Sequence, residues 1–311
     1  TSATLRLTIS NGVCPVSTDD VVIDIVEPST SADAGADQTL CNITTATLDG
    51  NAAVVGSGTW TVIAGTATVT TPASPTSDVT GLVIGASATL RWTINNAGCA
   101  TSSDDMVIVV DGSPTVADAG LSQTLCNVTT TTLAGNIPGI GTGAWSVTAG
   151  TATITTPSSS TSGVTGLVPG TSATLRWTIS NGVCPSSTAD VIINVDELPT
   201  TASAGADQNL CDITTATLAG NTPSVGTGLW TLITGTATIT TATSATSGVT
   251  GLVIGASATL RWTVSNATCP SSTDDVVINI SELPTTAAAG PDQILCNTPV
   301  TSLAGIPVTV G

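Results

Sequence analysis

Hydrophobic and polar residues alternate in short runs along this chain, as in the segment ATLRWTIN at residues 88–95. In an extended strand, Leu90, Trp92 and Ile94 share one face of that segment, and threonines and an arginine share the other. Glycine and proline interrupt such runs at short intervals, and no stretch shows a long apolar period of 3.6 residues. The pattern predicts short β-strands joined by turns, with almost no helix.

About seven such strands fit between residues 28 and 112. Threonine, whose branched Cβ favours extended backbone, is abundant throughout. Several short alternating strands within about 100 residues are typical of a two-sheet immunoglobulin-like (Ig-like) sandwich. We therefore predict an all-β fold.

The same unit recurs every 85 residues without insertion or deletion. All four cations are arginines on this step, at Arg6, Arg91, Arg176 and Arg261. The chain has no Phe or Tyr, so tryptophan and aliphatic residues must fill the core; the tryptophans are Trp60, Trp92, Trp145, Trp177, Trp230 and Trp262. We predict an extended rod of complete Ig-like modules at 28–112, 113–197 and 198–282. Partial modules lie at 1–27 (last two strands) and 283–311 (first strands), as expected for a segment of a longer chain.

Each arginine lies in the penultimate strand of a module, eight residues before a cysteine. One or two aspartates follow shortly after that cysteine, in the last strand. A hairpin turning at that cysteine places Leu7 opposite Val21 and Arg6 opposite Val22, with Arg6 diagonal to Asp20, within reach of a long side chain. We interpret the pair as a structural surface ion pair rather than a contact to a partner. The step of 85 residues then gives Arg6–Asp20, Arg91–Asp105, Arg176–Asp190 and Arg261–Asp275.

Two cysteine series also keep the step: Cys14, Cys99, Cys184 and Cys269, and Cys41, Cys126, Cys211 and Cys296. Two cysteines per small module, without a CxxC motif, indicate structural disulfides in an oxidising, extracellular compartment.

Two disulfide schemes stay open at this point. One pairs cysteines within a module, as Cys41–Cys99, Cys126–Cys184 and Cys211–Cys269; the other pairs neighbouring modules, as Cys41–Cys184 and Cys126–Cys269. Ig strand order separates the two cysteines of a module by a strand of ~20–25 Å, whereas a disulfide needs Cα atoms within ~7 Å. In a straight array, one end (pole) of each module meets the facing pole of the next module, so cysteines of neighbouring modules could pair there. Bonds between modules would then make the rod stiff.

The residue types exclude several functions. Without His, Lys or Tyr, the usual general base and Schiff-base amine are absent, and a Ser or Cys nucleophile has no imidazole partner. Adjacent carboxylates such as Asp104 and Asp105 point to opposite faces of a strand, so they cannot flank one bond. The net charge of −17 argues against nucleic acid and anionic membrane surfaces as partners, and no run of about 18 apolar residues could insert into a membrane. We predict that the chain is not an enzyme.

Calcium between modules is the one cofactor that the sequence raises, because hard cations bind clustered carboxylate oxygens. Glu27, Asp33 and Asp37 are weak candidates near the first linker. Their counterparts in the next module are Gly112, Asp118 and Ser122, so the ligand set changes from joint to joint. The usual interpretation of such a pattern is that the acidic side chains are solvated at the surface. We therefore expect no cofactor.

Two short motifs resemble a known group of repeats. The segments AGADQTLC (34–41) and AGPDQILC (289–296), a mid-module tryptophan and a closing SNGVC are similar to the PKD-like and Ig-like repeats of very large Bacteroidota surface proteins. The resemblance implies an Ig-like fold and a place in the stalk of a secreted adhesin, often exported by the type IX system. TWTVIAG stands where standard PKD domains have WDFGDG, so the similarity is to the broader PKD-like group and implies no ligand.

These observations favour a non-catalytic extracellular stalk or filament of a bacterial cell-surface protein, whose partners are neighbouring modules of the same chain. The alternative is a glycan- or surface-binding adhesion module, which calcium could assist. The predicted pole loops SNGVCPSST and INNAGCATSS have mostly small side chains and no aromatic residue. Binding loops usually hold aromatic or varied polar groups. An exposed Trp60 or Trp92 would favour the binding role. Lateral self-association into a fibre through open sheet edges is a further expectation.

Overall fold

A computed structural model describes residues 1–297 and 300–310, and it contains 23 β-strands and no helix in that part of the chain. We call residues 28–112, 113–197 and 198–282 modules one, two and three. The N-terminal segment forms β1 (Ser2–Ile9) and β2 (Ser17–Asp24). The described residues of 283–310 contain no strand.

Each module has seven strands. Module one contains β3 (Gln38–Cys41), β4 (Ala46–Thr47), β5 (Ser57–Ala64), β6 (Thr68–Val69), β7 (Asp78–Thr80), β8 (Ala86–Asn95) and β9 (Ser102–Asp111). Module two contains β10 (Gln123–Cys126), β11 (Thr131–Thr132), β12 (Thr142–Ala149), β13 (Thr153–Ile154), β14 (Gly163–Thr165), β15 (Thr171–Asn181) and β16 (Cys184–Asp196). Module three contains β17 (Gln208–Cys211), β18 (Ala216–Thr217), β19 (Thr227–Thr234), β20 (Thr238–Ile239), β21 (Gly248–Thr250), β22 (Ser257–Asn266) and β23 (Cys269–Ser281).

The strands of each module form two sheets that enclose one core. In module one the four-stranded sheet has the order β3-β9-β8-β5, and the three-stranded sheet has the order β4-β7-β6. Modules two and three repeat both orders. The first strand runs parallel to the last, so that Cys41 lies opposite Asp111. The cysteine that ends the first strand therefore lies at the pole where the module's last strand ends.

The alternating pattern positions the core as predicted. In β8 the side chains of Leu90, Trp92 and Ile94 are fully buried, and the intervening residues are partly exposed. Trp92 packs against Trp60 with ring centroids 5.1 Å apart, and modules two and three contain the same tryptophan pair. Such aromatic pairs add stability beyond the apolar area that they bury.

Within the described part of the chain, the N-terminal hairpin is a two-stranded sheet with no opposing sheet. Leu5, Leu7 and Ile9 occupy positions equivalent to buried residues of β8, yet each is more than half exposed. The burial of this face in the complete modules therefore depends on the other strands of the sandwich.

The predicted hairpin register was wrong: each residue of β1 pairs with a residue of β2 that lies two positions earlier in the chain than predicted. Arg6 lies directly opposite Asp20, and Leu7 lies opposite Asp19 instead of Val21. The reason is the turn, in which the Cys14 amide donates to the Asn11 carbonyl, so the centre of the hairpin precedes the cysteine. Turn geometry fixes hairpin register.

No helix that could cross a membrane occurs in the residues that the structure describes.

Candidate functional site at the module joints

Disulfides connect neighbouring modules. Cys41 at the end of β3 bonds to Cys184 at the start of β16, and Cys126 at the end of β10 bonds to Cys269 at the start of β23. The Cα atoms are 5.0 Å apart in both bonds, within the range that a disulfide requires. Each joint therefore has two covalent connections, the linker peptide and the disulfide.

The alternative pairing within a module is wrong. Cys41 lies beside Asp111 at the end of β9, whereas Cys99 precedes the first residue of that strand. A strand of ten residues spans about 33 Å, far beyond the reach of a disulfide. The structure forms none of the bonds Cys41–Cys99, Cys126–Cys184 and Cys211–Cys269.

Four cysteines are unpaired among the residues that the structure describes: Cys14, Cys99, Cys211 and Cys296. Both disulfides join residues 143 positions apart. For each unpaired cysteine, the equivalent partner position falls outside residues 1–311, so this sequence does not contain the cysteine that the repeat would supply.

Hydrogen bonds reinforce the joint between modules one and two, which we call the first joint. The Asn181 side-chain amide donates to the Gly112 carbonyl at 2.8 Å, and the Val183 amide donates to the Asp111 carboxylate at 3.0 Å. Gly182 has a positive φ of 50°, and a Cβ there would lie 1.7 Å from an oxygen of Asp111. A side chain at position 182 would therefore require the Asp111 carboxylate to move, whereas glycine also adopts this positive φ without strain.

The joint between modules two and three, which we call the second joint, uses the equivalent positions but differs in backbone strain. Asn266 donates to the Glu197 carbonyl at 2.8 Å, and both the amide and the hydroxyl of Thr268 donate to the Asp196 carboxylate. Ala267 occupies the position of the first joint's glycine with φ 40°, a conformation that costs an L-residue energy. The hydrogen bonds from the Thr268 side chain and then its backbone lower the pKa of Asp196, against a smaller opposing effect of desolvation.

These joint residues were not among the predicted site residues, although the sequence contains a signal for them. Asparagine recurs on the step of 85 at Asn11, Asn96, Asn181 and Asn266. A second missed series, Asn51, Asn136 and Asn221, fastens the linker to the core. In module two the Asn136 side-chain oxygen accepts from the Asp118 amide and from the Trp177 indole.

The four arginine–aspartate pairs are formed and bidentate. In each, the arginine Nε and one terminal nitrogen donate to the two carboxylate oxygens, with the shortest distances between 2.6 and 2.7 Å. Both partners are substantially exposed, so solvent screens their attraction and each pair adds little stability. The hydrogen bond from Arg176 lowers the pKa of Asp190. The pairs are Arg6–Asp20, Arg91–Asp105, Arg176–Asp190 and Arg261–Asp275.

The acidic residues considered for calcium do not come together. Asp33 accepts from the Gly35 amide, and Asp37 accepts from the Val107 amide. The backbone carbonyl of Glu27 accepts from the side chain of Asn96. Within residues 1–297 and 300–310, no group of three or more Cys, His, Asp or Glu side chains could hold a metal ion.

All six tryptophans lie in the module cores with at most 4% of their surface exposed: Trp60, Trp92, Trp145, Trp177, Trp230 and Trp262. Because the chain has no Phe or Tyr, these are its only aromatic side chains. No aromatic surface is therefore available for stacking on a sugar ring.

No protein-family model matches the sequence, and no curated protein matches it. Among solved structures, a three-domain Ig fragment of titin, an E-to-A variant, aligns with a TM-score of 0.53 at 13% identity, covering 82% of this chain and 99% of that one. Ig domains 1–4 of Sidekick-1 give a TM-score of 0.41 at 10% identity, covering 90% of each chain. At this identity the likeness to titin shows the fold alone.

The fold and its joints define the class of protein. The prediction of an all-β chain of tandem Ig-like sandwiches is confirmed by the strand order and by the titin likeness. The chain is an Ig-like repeat protein with two disulfides between neighbouring modules.

Proposed function

We propose that this chain is a non-catalytic structural repeat in the extracellular stalk or filament of a large bacterial surface protein, of the PKD-like kind found in Bacteroidota. The observation that supports the proposal best is the joint, where a disulfide and a linker peptide connect the same two modules. A second covalent connection restricts bending and twisting. Stiffness over many similar modules gives reach, which is what a stalk requires.

The composition supports a structural role over catalysis. The chain offers no imidazole, amine or phenol for acid–base or covalent chemistry. Its buried tryptophans also argue against glycan binding, since the pole loops have no aromatic side chain. We therefore favour neighbouring modules as the partners, without a cofactor, and an extracellular location in which the disulfides stay oxidised.

Electron microscopy of the oxidised protein tests the stalk role. Three complete modules of ~35–40 Å each should give straight particles of at least about 110 Å. A variant with Cys41→Ser and Cys184→Ser should bend at the first joint only, whereas Cys211→Ser, which removes an unpaired thiol, should leave the particles straight. Oxidised particles that bend freely at both joints would contradict the proposal.

The location needs a separate measurement. Immunogold labelling of intact cells that produce the natural protein should place these modules outside the cell, on projecting structures. Labelling confined to the cell interior would refute the extracellular stalk, whatever the shape of the isolated chain.

A further inference from the structure

The pairing of the cysteines determines how a pulling force passes through module two. At the first joint, force enters this module through the linker that leads to β10 and through Cys184, the first residue of β16. At the second joint, force leaves through the linker after β16 and through Cys126, the last residue of β10. Each of the two strands thus has a covalent connection at both ends.

These two strands are neighbours in one sheet. β10 and β16 run parallel, with Gln123 opposite Ile193 and Cys126 opposite Asp196. With both disulfides formed, each strand is pulled along its own axis from its two ends, and the two strands are pulled in the same way. The ladder between them is then not sheared.

Without the disulfides, the same force would shear this ladder. The chain would pull β10 only from its N-terminal end and β16 only from its C-terminal end, in opposite directions. The ladder that resists this displacement is only four residue pairs long. The sandwich would then open at this pair of strands and release the chain between them.

We propose that, while neighbouring modules stay folded, the intermodule disulfides transmit tension past the interior strands of a module, so that the array resists lengthening when that one sandwich loses its fold. In module two the bypassed strands are β11 to β15, which lie between Cys126 and Cys184. Linkage of one module's first strand to the next module's last strand is what produces the bypass. Bonds within modules would leave the linkers in series with every sandwich. This inference rests on the proposed structural role only for its biological setting.

The connectivity sets a limit on extension. Once every module has unfolded, the shortest covalent route from one end to the other follows residues 1–41, crosses to 184, returns to 126 through the residues of β11 to β15, crosses to 269 and continues to 311. The interior segment of module two carries tension only in that fully unfolded state. It contains about 143 residues, which at ~3.6 Å per residue reach about 500 Å. The reduced chain of 311 residues can reach about 1,100 Å.

Single-molecule force spectroscopy on the whole chain, held by its two ends, tests the proposal. The oxidised chain should extend to about 500 Å, and the reduced chain to about 1,100 Å. Cys126→Ser, which leaves one disulfide and a route of about 169 residues, should extend to about 600 Å. Cys211→Ser is the matched control and should keep the limit of about 500 Å. These limits follow from covalent connectivity, so they hold even for a variant that folds poorly.

The unfolding force supplies the second readout, because contour length alone reports connectivity. Module two should unfold at a higher force in the oxidised chain than after reduction, since only the reduced chain shears the β10–β16 ladder. Equal unfolding forces would overturn the proposal, as would an oxidised chain that extends to the reduced length. Failure here leaves the immunogold result untouched, and an interior location would leave the force result untouched, so the two proposals fail separately.

Discussion

A single methyl group added at Gly143 tests how tightly the tryptophan pair is packed. A Cβ at this glycine would lie 2.1 Å from Cζ2 and 2.4 Å from Cη2 of Trp177. The indole cannot retreat easily, because Trp177 is fully buried, its ring centroid lies 5.0 Å from that of Trp145, and its Nε1 donates to Asn136. Gly143→Ala therefore forces the indole or the strand to move by more than 1 Å, given ordinary carbon contacts of about 3.5 Å.

The expected cost follows from overpacking of a well-packed core, which typically destabilises by ~1–3 kcal/mol and occasionally by more. Replacing a glycine in a strand recovers ~0.5–1 kcal/mol of backbone entropy. Because the added Cβ would lie only 2.1 Å from the indole, the cost should be at the upper end of that range, and the net loss for module two should be about 2 kcal/mol. For a unit of this size, that corresponds to a midpoint lower by roughly 8–16 °C.

The matched control is Gly139→Ala. This glycine also has no positive φ, and its added Cβ would meet only the Thr115 hydroxyl oxygen at 3.6 Å, an ordinary contact. Calorimetry should show one unfolding transition at a lower temperature in Gly143→Ala. The control should lower the midpoint of no transition. Hydrogen exchange followed by mass spectrometry should locate the loss of protection in peptides from β12 and β15. Adding Trp177→Phe, which removes Cζ2 and Cη2 of the indole, should relieve the clash at Gly143→Ala.

Equal stability of the two glycine variants would refute this account of the core. It would mean that the buried indole has room to move that the packing around it does not show. A loss in Gly143→Ala that Trp177→Phe leaves unchanged would assign the cost to the strand backbone instead.

Three further predictions concern the surface and the second joint. Arg176→Met should lower the free energy of unfolding at neutral pH only slightly, because both side chains are exposed to solvent, and it should raise the pKa of Asp190 toward its ordinary value, as NMR titration can measure. Because the folded pKa of Asp190 is lowered, the wild-type pair stabilises above about pH 4 and that contribution is lost as pH falls through the folded pKa, so wild type and variant should converge in acid. Ala267→Gly should raise the stability of the second joint by about 1 kcal/mol in denaturant titrations, because glycine adopts a positive φ without strain; an unchanged midpoint would contradict this. Thr268→Val removes the hydroxyl donor and should raise the pKa of Asp196, whereas Thr268→Ser should keep it low.

The sequence by itself determined the strands, the core and the repeat. Alternation in ATLRWTIN fixes which side chains face inward, because successive residues of a strand point to opposite faces. The step of 85 residues places equivalent residues at equivalent points of every module. The arginine–aspartate partners also followed from the sequence, since a hairpin brings its two strands together whatever its exact register.

Only the tertiary structure decided the cysteine partners, the hairpin register and the joint contacts. Cysteine spacing is compatible with both disulfide schemes, and the choice depends on which poles face each other, as set by the parallel pairing of the first and last strands. The register depends on a turn of a few residues, whose centre the alternation does not specify. Asp111 and Gly182 are 71 positions apart, and they meet only because one module's last strand ends where the next module's hairpin turns. Local patterns specify the module, and long-range contacts between modules specify how modules are joined.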